Sequence, residues 1–120
     1  MDNDTPIKDL KNKVRKFCDD RDWDKFHNGK ELATALIVES AELLEIFTWK
    51  SESEVSALFS NKEKRQHIEE EMADVLYVLL MMADKYNIDL STVLDKKLEQ
   101  NNKKYPIEKS KGQNKKYTEY

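Results

Sequence analysis

Two stretches of the sequence place apolar residues on every side of a predicted helix. They run from Glu31 to Trp49 and from Ile68 to Ala83. A helix that is apolar all round is normally buried, so we expect these two helices to form the core. Both stretches nevertheless carry acidic residues at helical spacing, namely Glu39, Glu42 and Glu45 in the first and Glu71 and Asp74 in the second.

These acidic residues are costly inside a buried helix. Side chains three residues apart are neighbours separated by about 4.5 Å of rise, so like charges in such a row repel each other. A buried isolated carboxylate either costs several kcal/mol or takes up a proton. A hard divalent cation with oxygen ligands removes both problems. We therefore expect the two helices to pack side by side and to bring together four metal ligands, Glu39, Glu42, Glu71 and Asp74.

The side chains of the candidate site favour some metal ions over others. The alternative interpretation, two acidic stripes on solvated faces, is weaker because Glu39, Glu42 and Asp74 directly adjoin apolar residues. All four candidates offer oxygen, which favours Mg²⁺ or Mn²⁺, and the absence of His and Cys from the set disfavours zinc. Di-iron bundles normally need Glu-x-x-His pairs, and neither His27 nor His67 follows a glutamate by three residues.

Shorter patterns predict the remaining elements. Thr5 is expected to cap a first helix that has Pro6 in its first turn and an apolar stripe ending at Phe17 and Cys18. The later helices are predicted at about 30–49, 52–59 after a Ser51/Glu54 capping box, 62–86 after Asn61, and 90–104 after Asp89. Together they predict an all-α fold, an antiparallel four-helix bundle with the short helix as a connection.

The length of the chain and its surplus of apolar surface predict the larger organisation. Its 120 residues suffice for one domain over residues 1–120. From Lys103 onward six lysines face only Glu108 and Glu119, so residues from about 106 to 120 are expected to form a basic, partly flexible tail. The two apolar helices present more faces than one small bundle covers, which indicates a homodimer or homotetramer.

Composition narrows the class of protein. A formal charge of −3 gives no general case for binding nucleic acid or membranes. Cys18 is the one cysteine, which excludes an intrachain disulfide, and we expect it to be a small core residue. The N-terminus lacks the apolar core of a signal peptide, and the apolar run Val75–Ala83 is too short for the roughly 20 residues of a membrane span. A soluble, cytoplasmic protein is expected.

The loop between the first two helices, Asp19 to Gly29, is polar but contains Trp23, Phe26 and His27. Large aromatic side chains in such a loop either fill the edge of the core or line a pocket, and filling the edge is the simpler interpretation. Taken alone, His27 is interpreted as a surface or hydrogen-bonded histidine rather than a ligand, and His67 as a surface histidine.

Several segments resemble a known family. These are RDWDKFH from Arg21, ESAELLEIFTWK from Glu39, EEMADVLYVL from Glu70, NNKKYP from Asn101 and KYTEY from Lys116. In this order they resemble the MazG-like, all-α nucleoside triphosphate pyrophosphohydrolases, in particular the branch that contains the dCTP pyrophosphatases. The resemblance implies Mg²⁺-dependent hydrolysis of a nucleoside triphosphate at the α–β bond, with dCTP or a modified dCTP as the preferred substrate. It also implies a dimer or tetramer with pockets where subunits meet.

The resemblance also implies roles for individual residues. The metal ligands would be Glu39, Glu42, Glu71 and Asp74, with Glu42, Glu45 and Glu71 as the catalytic group and Glu45 orienting water. The substrate-binding residues would be Trp23, Trp49 and Tyr77 around the base, His27 beside it, and Lys97 and Asn101 at the phosphates. The dCTP branch has a tyrosine four residues after the aspartate, whereas here Val78 holds that position and Tyr77 precedes it. One residue turns a helical side chain by about 100°, so a pyrophosphohydrolase that is broad or prefers dUTP or dATP stays an alternative, as does a non-catalytic nucleotide-binding module.

Overall fold

The structure, a computed structural model, describes all 120 residues and contains helices but no strands. The α-helices are α1 Ile7–Asp19, α2 Gly29–Glu45, α3 Glu52–Ser60, α4 Lys62–Lys85, α5 Leu90–Lys104 and α6 Ile107–Ser110, with 3₁₀ turns at Asp24–Phe26 and Tyr117–Glu119. The prediction of an all-α chain is confirmed. The residues form two compact units, 1–87 and 88–120. The four-helix bundle and the single domain stay predictions.

Helix α4 is the central element of the first unit, because α1, α2 and α3 all pack against it. The core lies between α1, α2 and α4 and consists of Cys18, Leu32, Val78 and Met81, with the partly buried Val14, Ala35, Leu36, Tyr77 and Met82 packed around it. Cys18 is a buried free thiol, as predicted. Burial of these side chains holds α2 against α4, the two helices that carry the acidic residues.

Side-chain caps begin most of the helices where the sequence predicts. The Ser51 hydroxyl accepts a hydrogen bond from the Glu54 backbone N–H, and the Glu54 carboxylate accepts one in return, which completes the predicted capping box. The side chains of Asn61 and Asp89 cap α4 and α5 in the same way. Asn28 caps α2 by accepting from the Glu31 N–H at 2.9 Å. Each such cap satisfies a backbone donor that the helix itself leaves free.

The predicted cap of α1 is wrong. Pro6, rather than Thr5, occupies the N-cap position, and it forms no side-chain cap. The Thr5 hydroxyl instead accepts a hydrogen bond from the N-terminal amino group of Met1 at 3.3 Å. The local bond to the chain terminus therefore uses the oxygen that would have capped the helix.

The predicted end of α2 is also wrong, since the helix stops at Glu45 rather than at Trp49. The N–H groups of Phe47 and Thr48 bond to carbonyls three residues back, and Trp49 has a positive φ of 64°. The apolar pattern continues past the helix because Phe47 stacks on Phe59 of α3, with ring centroids 5.9 Å apart. An aromatic contact made by a turn thus imitates helical periodicity in the sequence.

The second unit contains α5, α6 and the last 3₁₀ turn. The ring of Tyr105 packs edge-on against Tyr117 and Tyr120, and the hydroxyls of Ser110 and Tyr120 lie 2.6 Å apart. The sequence did not predict the short helices after Pro106, because residues 107–120 have no apolar stripe at helical spacing and pack through the Tyr105 and Tyr117 rings and the Ser110 and Tyr120 hydroxyls. The flexibility of residues 106–120 stays a prediction. Across both units, no helix is long and apolar enough to cross a bilayer.

Truncating the core should be costly. Leu32 is only 2% exposed, so Leu32→Ala removes a buried side chain and leaves a cavity. We expect a loss of about 2–5 kcal/mol in the free energy of unfolding, measured by urea denaturation. Leu32→Met, which keeps the volume, should cost less than about 1.5 kcal/mol. Equal losses for the two variants would contradict this account of the core.

The ion pair between α1 and α4 should make stability depend on pH. The Arg15 guanidinium bonds both oxygens of Asp84, whose side chain is 14% exposed, and holds the pKa of Asp84 below its ordinary value. A lowered folded-state pKa gives stability that is present above the unfolded value of about 3.9 and is lost as pH falls through the folded one.

We therefore expect Asp84→Asn to lower the melting temperature at pH 7, with the gap to wild type closing in strong acid. Asp20→Asn is a matched control, because it removes only the exposed Lys16–Asp20 pair. A gap that stays constant from pH 7 to pH 2 would show that the Arg15–Asp84 charge pair does not stabilise the fold.

Candidate active site

Three of the predicted acids meet where α2 packs on α4. Glu39 and Glu42 extend from α2 and Glu71 from α4, and one carboxylate oxygen from each lies within 4.8 Å of the others. Glu39 and Glu71 are partly buried, whereas Glu42 is exposed. The cluster therefore lies at the mouth of the helix contact, where ligands can reach it.

Glu71 has the least favourable surroundings of the three. Its side chain is 15% exposed, and its Oε2 is buried without a hydrogen-bond partner. Its Oε1 lies 3.9 Å from Nδ1 of His67, one turn earlier on α4. A buried carboxylate oxygen without a donor is costly. A cation at this position would supply the missing partner.

The electrostatics of the cluster reflect crowding of like charges. Burial raises the pKa of Glu39, and the neighbouring Glu42, Asp74 and Glu71 raise it further. Burial likewise raises the pKa of Glu71, with added contributions from Glu42 and Asp74, while His67 opposes the rise. A group of oxygen ligands that resists ionisation until a positive charge arrives fits a hard divalent cation.

Asp74 lies outside the group of three but acts on it electrostatically. It follows Glu71 by one turn of α4 and is exposed. Its charge raises the pKa of both Glu39 and Glu71, so it lies within Coulombic range of them. Asp74 also lines the neighbouring groove, and so it connects the acidic cluster to that surface.

On one side of the cluster lies a cleft of about 570 Å³, here termed the lysine cleft. It is lined by Glu42, Glu45, Ile46, Lys50, Leu58, Lys64, His67 and Glu71. The predicted Glu45 thus lies in this cleft rather than in the group of three. Lys50, Lys64 and His67 were not predicted as site residues. The available signal was the helical spacing of Lys64, His67, Glu71 and Asp74, which shows that they share one side of α4.

Beyond Asp74 lies a mainly apolar groove of about 550 Å³, here termed the aromatic groove. Its lining residues are Lys13, Val14, Phe17, Trp23, Ala73, Asp74 and Tyr77. The rings of Trp23 and Tyr77 both pack edge-on against Phe17, with centroids 5.8 Å away. Trp23 therefore lines a pocket rather than only filling the edge of the core, and Phe17 is a lining residue that the sequence reading assigned to the core alone.

The hydroxyl of Tyr77 is already engaged inside the protein. It lies 3.5 Å from the Cys18 sulfur. Burial of the side chain raises the pKa of Tyr77, and the contact with Cys18 raises it further. The polar end of the Tyr77 side chain thus lies against the buried Cys18. The groove presents the ring of Tyr77 to a ligand.

The remaining predicted residues lie elsewhere. His27 is partly buried beside Asp24, Asp84 and Lys85 and does not line the aromatic groove. Trp49 is 98% exposed and lines neither the lysine cleft nor the aromatic groove. Lys97 and Asn101 belong to the second unit, where they lie one turn apart on α5. Phe26, the other large aromatic of the loop, is exposed.

Comparison with known proteins assigns the chain to a family. The model of the MazG-like family matches residues 34–120, a region that includes all the predicted acids. The chain belongs to the MazG-like family. The resemblance seen in the sequence motifs is therefore confirmed.

Individual MazG-like relatives match over most of the chain. It is 34% identical to dCTP pyrophosphatase 1 of Rattus norvegicus and 32% identical to that of Homo sapiens, over 113 residues, or 94% of this chain. The chain spans 66% of the length of each of these relatives, slightly less than two thirds. A pyrophosphatase from Archaeoglobus fulgidus has a similar structure, with a TM-score of 0.77 and 39% identity over 83% of this chain and 92% of that one.

Because like charges are crowded at this site, a variant that removes one of them should be more stable than the wild type in the absence of metal. Because the pKa of Glu71 is raised in the folded state, the folded protein binds protons more readily than the unfolded chain does. In metal-free buffer, stability should therefore increase as pH falls from neutral through the raised pKa toward the unfolded value of about 4.3.

Glu71→Gln should accordingly raise the melting temperature in EDTA at pH 7, since it removes a disfavoured charge. Glu70→Gln is the matched control, because Glu70 is exposed and only accepts a hydrogen bond from Gln66. A lower melting temperature for Glu71→Gln than for Glu70→Gln would contradict the repulsion described here.

Proposed function

We propose that the protein hydrolyses a nucleoside triphosphate between the α- and β-phosphates, giving a monophosphate and pyrophosphate, with Mg²⁺ as cofactor and Mn²⁺ as a substitute. The observation that carries the proposal is the meeting of three carboxylates within 4.8 Å in a MazG-like chain. The names of the mammalian and archaeal relatives support the reaction, since they are a dCTP pyrophosphatase and a pyrophosphatase. Control or sanitation of the nucleotide pool is the corresponding cellular role.

The cofactor assignment rests on the donor set. Glu39, Glu42, Glu71 and Asp74 would hold the cation, and the unpartnered Oε2 of Glu71 is the oxygen that most needs it. When bound, a divalent cation neutralises the triphosphate and polarises the α-phosphorus. With no histidine or cysteine in the set, the site favours Mg²⁺ or Mn²⁺ over zinc.

The proposed hydrolysis transfers a proton from the attacking water and releases pyrophosphate as the leaving group. A water oxygen bonds to the α-phosphorus, and the bond from that phosphorus to the bridging oxygen breaks. The electron pair leaves on the bridging oxygen as part of pyrophosphate. Glu45, which lines the lysine cleft together with Glu42, orients the water, and one carboxylate of the catalytic group Glu42, Glu45 and Glu71 accepts its proton. Glu42 and Glu71 complete the catalytic group and would be among the residues that hold the cation.

The base would occupy the aromatic groove next to Asp74. Stacking on Trp23 is worth about 1–3 kcal/mol per base, with little preference among bases. The names of the relatives lead us to propose dCTP or a modified dCTP as the substrate. Selection of its cytosine needs hydrogen bonds to the edge of the base. The inward-facing hydroxyl of Tyr77 favours a second candidate, a pyrophosphohydrolase that is broad or that prefers dUTP or dATP.

A second copy of the chain is proposed to complete the site. Large apolar side chains remain exposed on α2 and just after it, including Ile37 at 71%, Leu44 at 65% and Trp49 at 98%. A homodimer or homotetramer would cover them, because contiguous apolar surface marks interaction sites. Trp49 would then enclose the base in a neighbouring subunit, His27 would lie near it, and Lys97 and Asn101 would contact phosphates.

Magnesium-dependent release of pyrophosphate separates this function from a nucleotide-binding module. We expect the wild type to convert dNTPs to monophosphates only when Mg²⁺ is present. Glu42→Gln and Asp74→Asn should each lower kcat/KM at least about 100-fold, since the cation supplies several kcal/mol of transition-state stabilisation. Glu63→Gln, an exposed position in the first turn of α4, is the control.

The same assay, run on a panel of canonical and modified dNTPs, tests the base. A preference for dCTP or a modified dCTP supports the first candidate, and equal rates on purines and pyrimidines support the second. If Glu42→Gln and Asp74→Asn leave pyrophosphate release unchanged, the acids are not the catalytic site.

A further inference from the structure

The residues of α4 form an ordered series along one side of the helix. Lys64, His67, Glu71, Asp74 and Tyr77 follow each other at three- and four-residue spacing, so they form a slowly drifting row. The first three line the lysine cleft, and the last two line the aromatic groove. The acids therefore lie between a cleft that contains Lys50 and Lys64 at one end of the row and an aromatic surface at the other.

The lysines of the cleft are available to a ligand. Neither Lys50 nor Lys64 forms an ion pair, although three carboxylates line the same cleft. The position of Lys64 is fixed at its backbone, where the N–H donates to the Asn61 side chain at 3.0 Å. Free ammonium groups bind phosphate oxygens through charge-assisted hydrogen bonds. The cleft volume of about 570 Å³ lies within the range typical of small-molecule sites.

The order of the row gives the substrate a direction. With the base in the aromatic groove and the α-phosphate at the acids, the β- and γ-phosphates extend toward the opposite end of α4. Lys64 lies seven residues before Glu71, about 10 Å along the helix axis, within reach of a diphosphate group and a lysine side chain together.

We propose that the lysine cleft receives the leaving pyrophosphate, with Lys64 and Lys50 bound to its oxygens. This inference rests on the proposed function and adds the residues that hold the product. Cleavage leaves an electron pair, and hence new negative charge, on the oxygen that bridged the α- and β-phosphates. The ammonium groups of the two lysines stabilise that charge through charge-assisted hydrogen bonds.

Inhibition by inorganic pyrophosphate tests the assignment. Hydrolysis of a dNTP by the full chain with Mg²⁺ is measured against added pyrophosphate and, separately, against the product monophosphate. We expect Lys64→Gln to raise the pyrophosphate inhibition constant about tenfold, as the loss of a charge-assisted contact implies. Inhibition by the monophosphate should not change. Lys64→Arg should keep most of the pyrophosphate affinity, and Lys62→Gln, a lysine of α4 outside the cleft, is the matched control.

Each possible outcome either supports or overturns the assignment of the lysine cleft to pyrophosphate. Pyrophosphate inhibition in Lys64→Gln equal to that in Lys62→Gln, or a weakening of monophosphate inhibition instead, would overturn the assignment. If Lys64→Gln is unfolded by circular dichroism, Lys50→Gln is judged by the same criteria. If the wild type hydrolyses no nucleotide, the proposed function fails, and calorimetric titration with Mg²⁺ and pyrophosphate still decides the cleft. If the wild type binds pyrophosphate tightly and Lys64→Gln does not, the assignment is supported. If Lys64→Gln and Lys62→Gln bind pyrophosphate equally, the assignment is wrong.

Discussion

Repulsion among carboxylates at the contact of α2 and α4 is the constraint on which the rest of the structure depends. The apolar core of α1, α2 and α4 holds Glu39 and Glu42 next to Glu71, and one oxygen of Glu71 is buried without a donor. The free energy gained by burying the core side chains keeps these charges together despite their mutual repulsion. Such an arrangement of carboxylates strongly favours the binding of a cation between Glu39, Glu42 and Glu71.

The surfaces on either side give this charge centre a chemical context. Helix α4 contributes to the lysine cleft, to the acids and to the aromatic groove, so a single rigid element sets their order. Phosphate oxygens bind ammonium groups, and nucleobases stack on aromatic rings. The sequence of surfaces along α4 corresponds to the sequence of groups in a nucleoside triphosphate.

The sequence predicted those features that depend on local spacing. The helix starts at Ser51, Asn61 and Asp89 follow from capping chemistry, and the proximity of Glu39 and Glu42 follows from their spacing on one helix. That Glu71 would join them required the packing of α2 on α4, which the apolar character of both stretches indicated.

Other features could not be predicted, because they depend on contacts between distant residues. The turn after Glu45 keeps apolar residues at helical spacing because Phe47 stacks on Phe59, so its sequence pattern predicts a helix. The direction of the Tyr77 hydroxyl depends on Cys18, fifty-nine residues away in the chain. The role of Trp49, fully exposed in one chain, depends on whether a second copy covers it.

The most direct test of the account is anomalous X-ray scattering from Mn²⁺ in crystals of the protein. The account predicts a peak between Glu39, Glu42 and Glu71, about 2.0–2.4 Å from their carboxylate oxygens and including Oε2 of Glu71. The peak should disappear in crystals of Glu71→Gln. Crystals of the wild type that show no peak there, with the three carboxylates apart from one another in solvent, would contradict it.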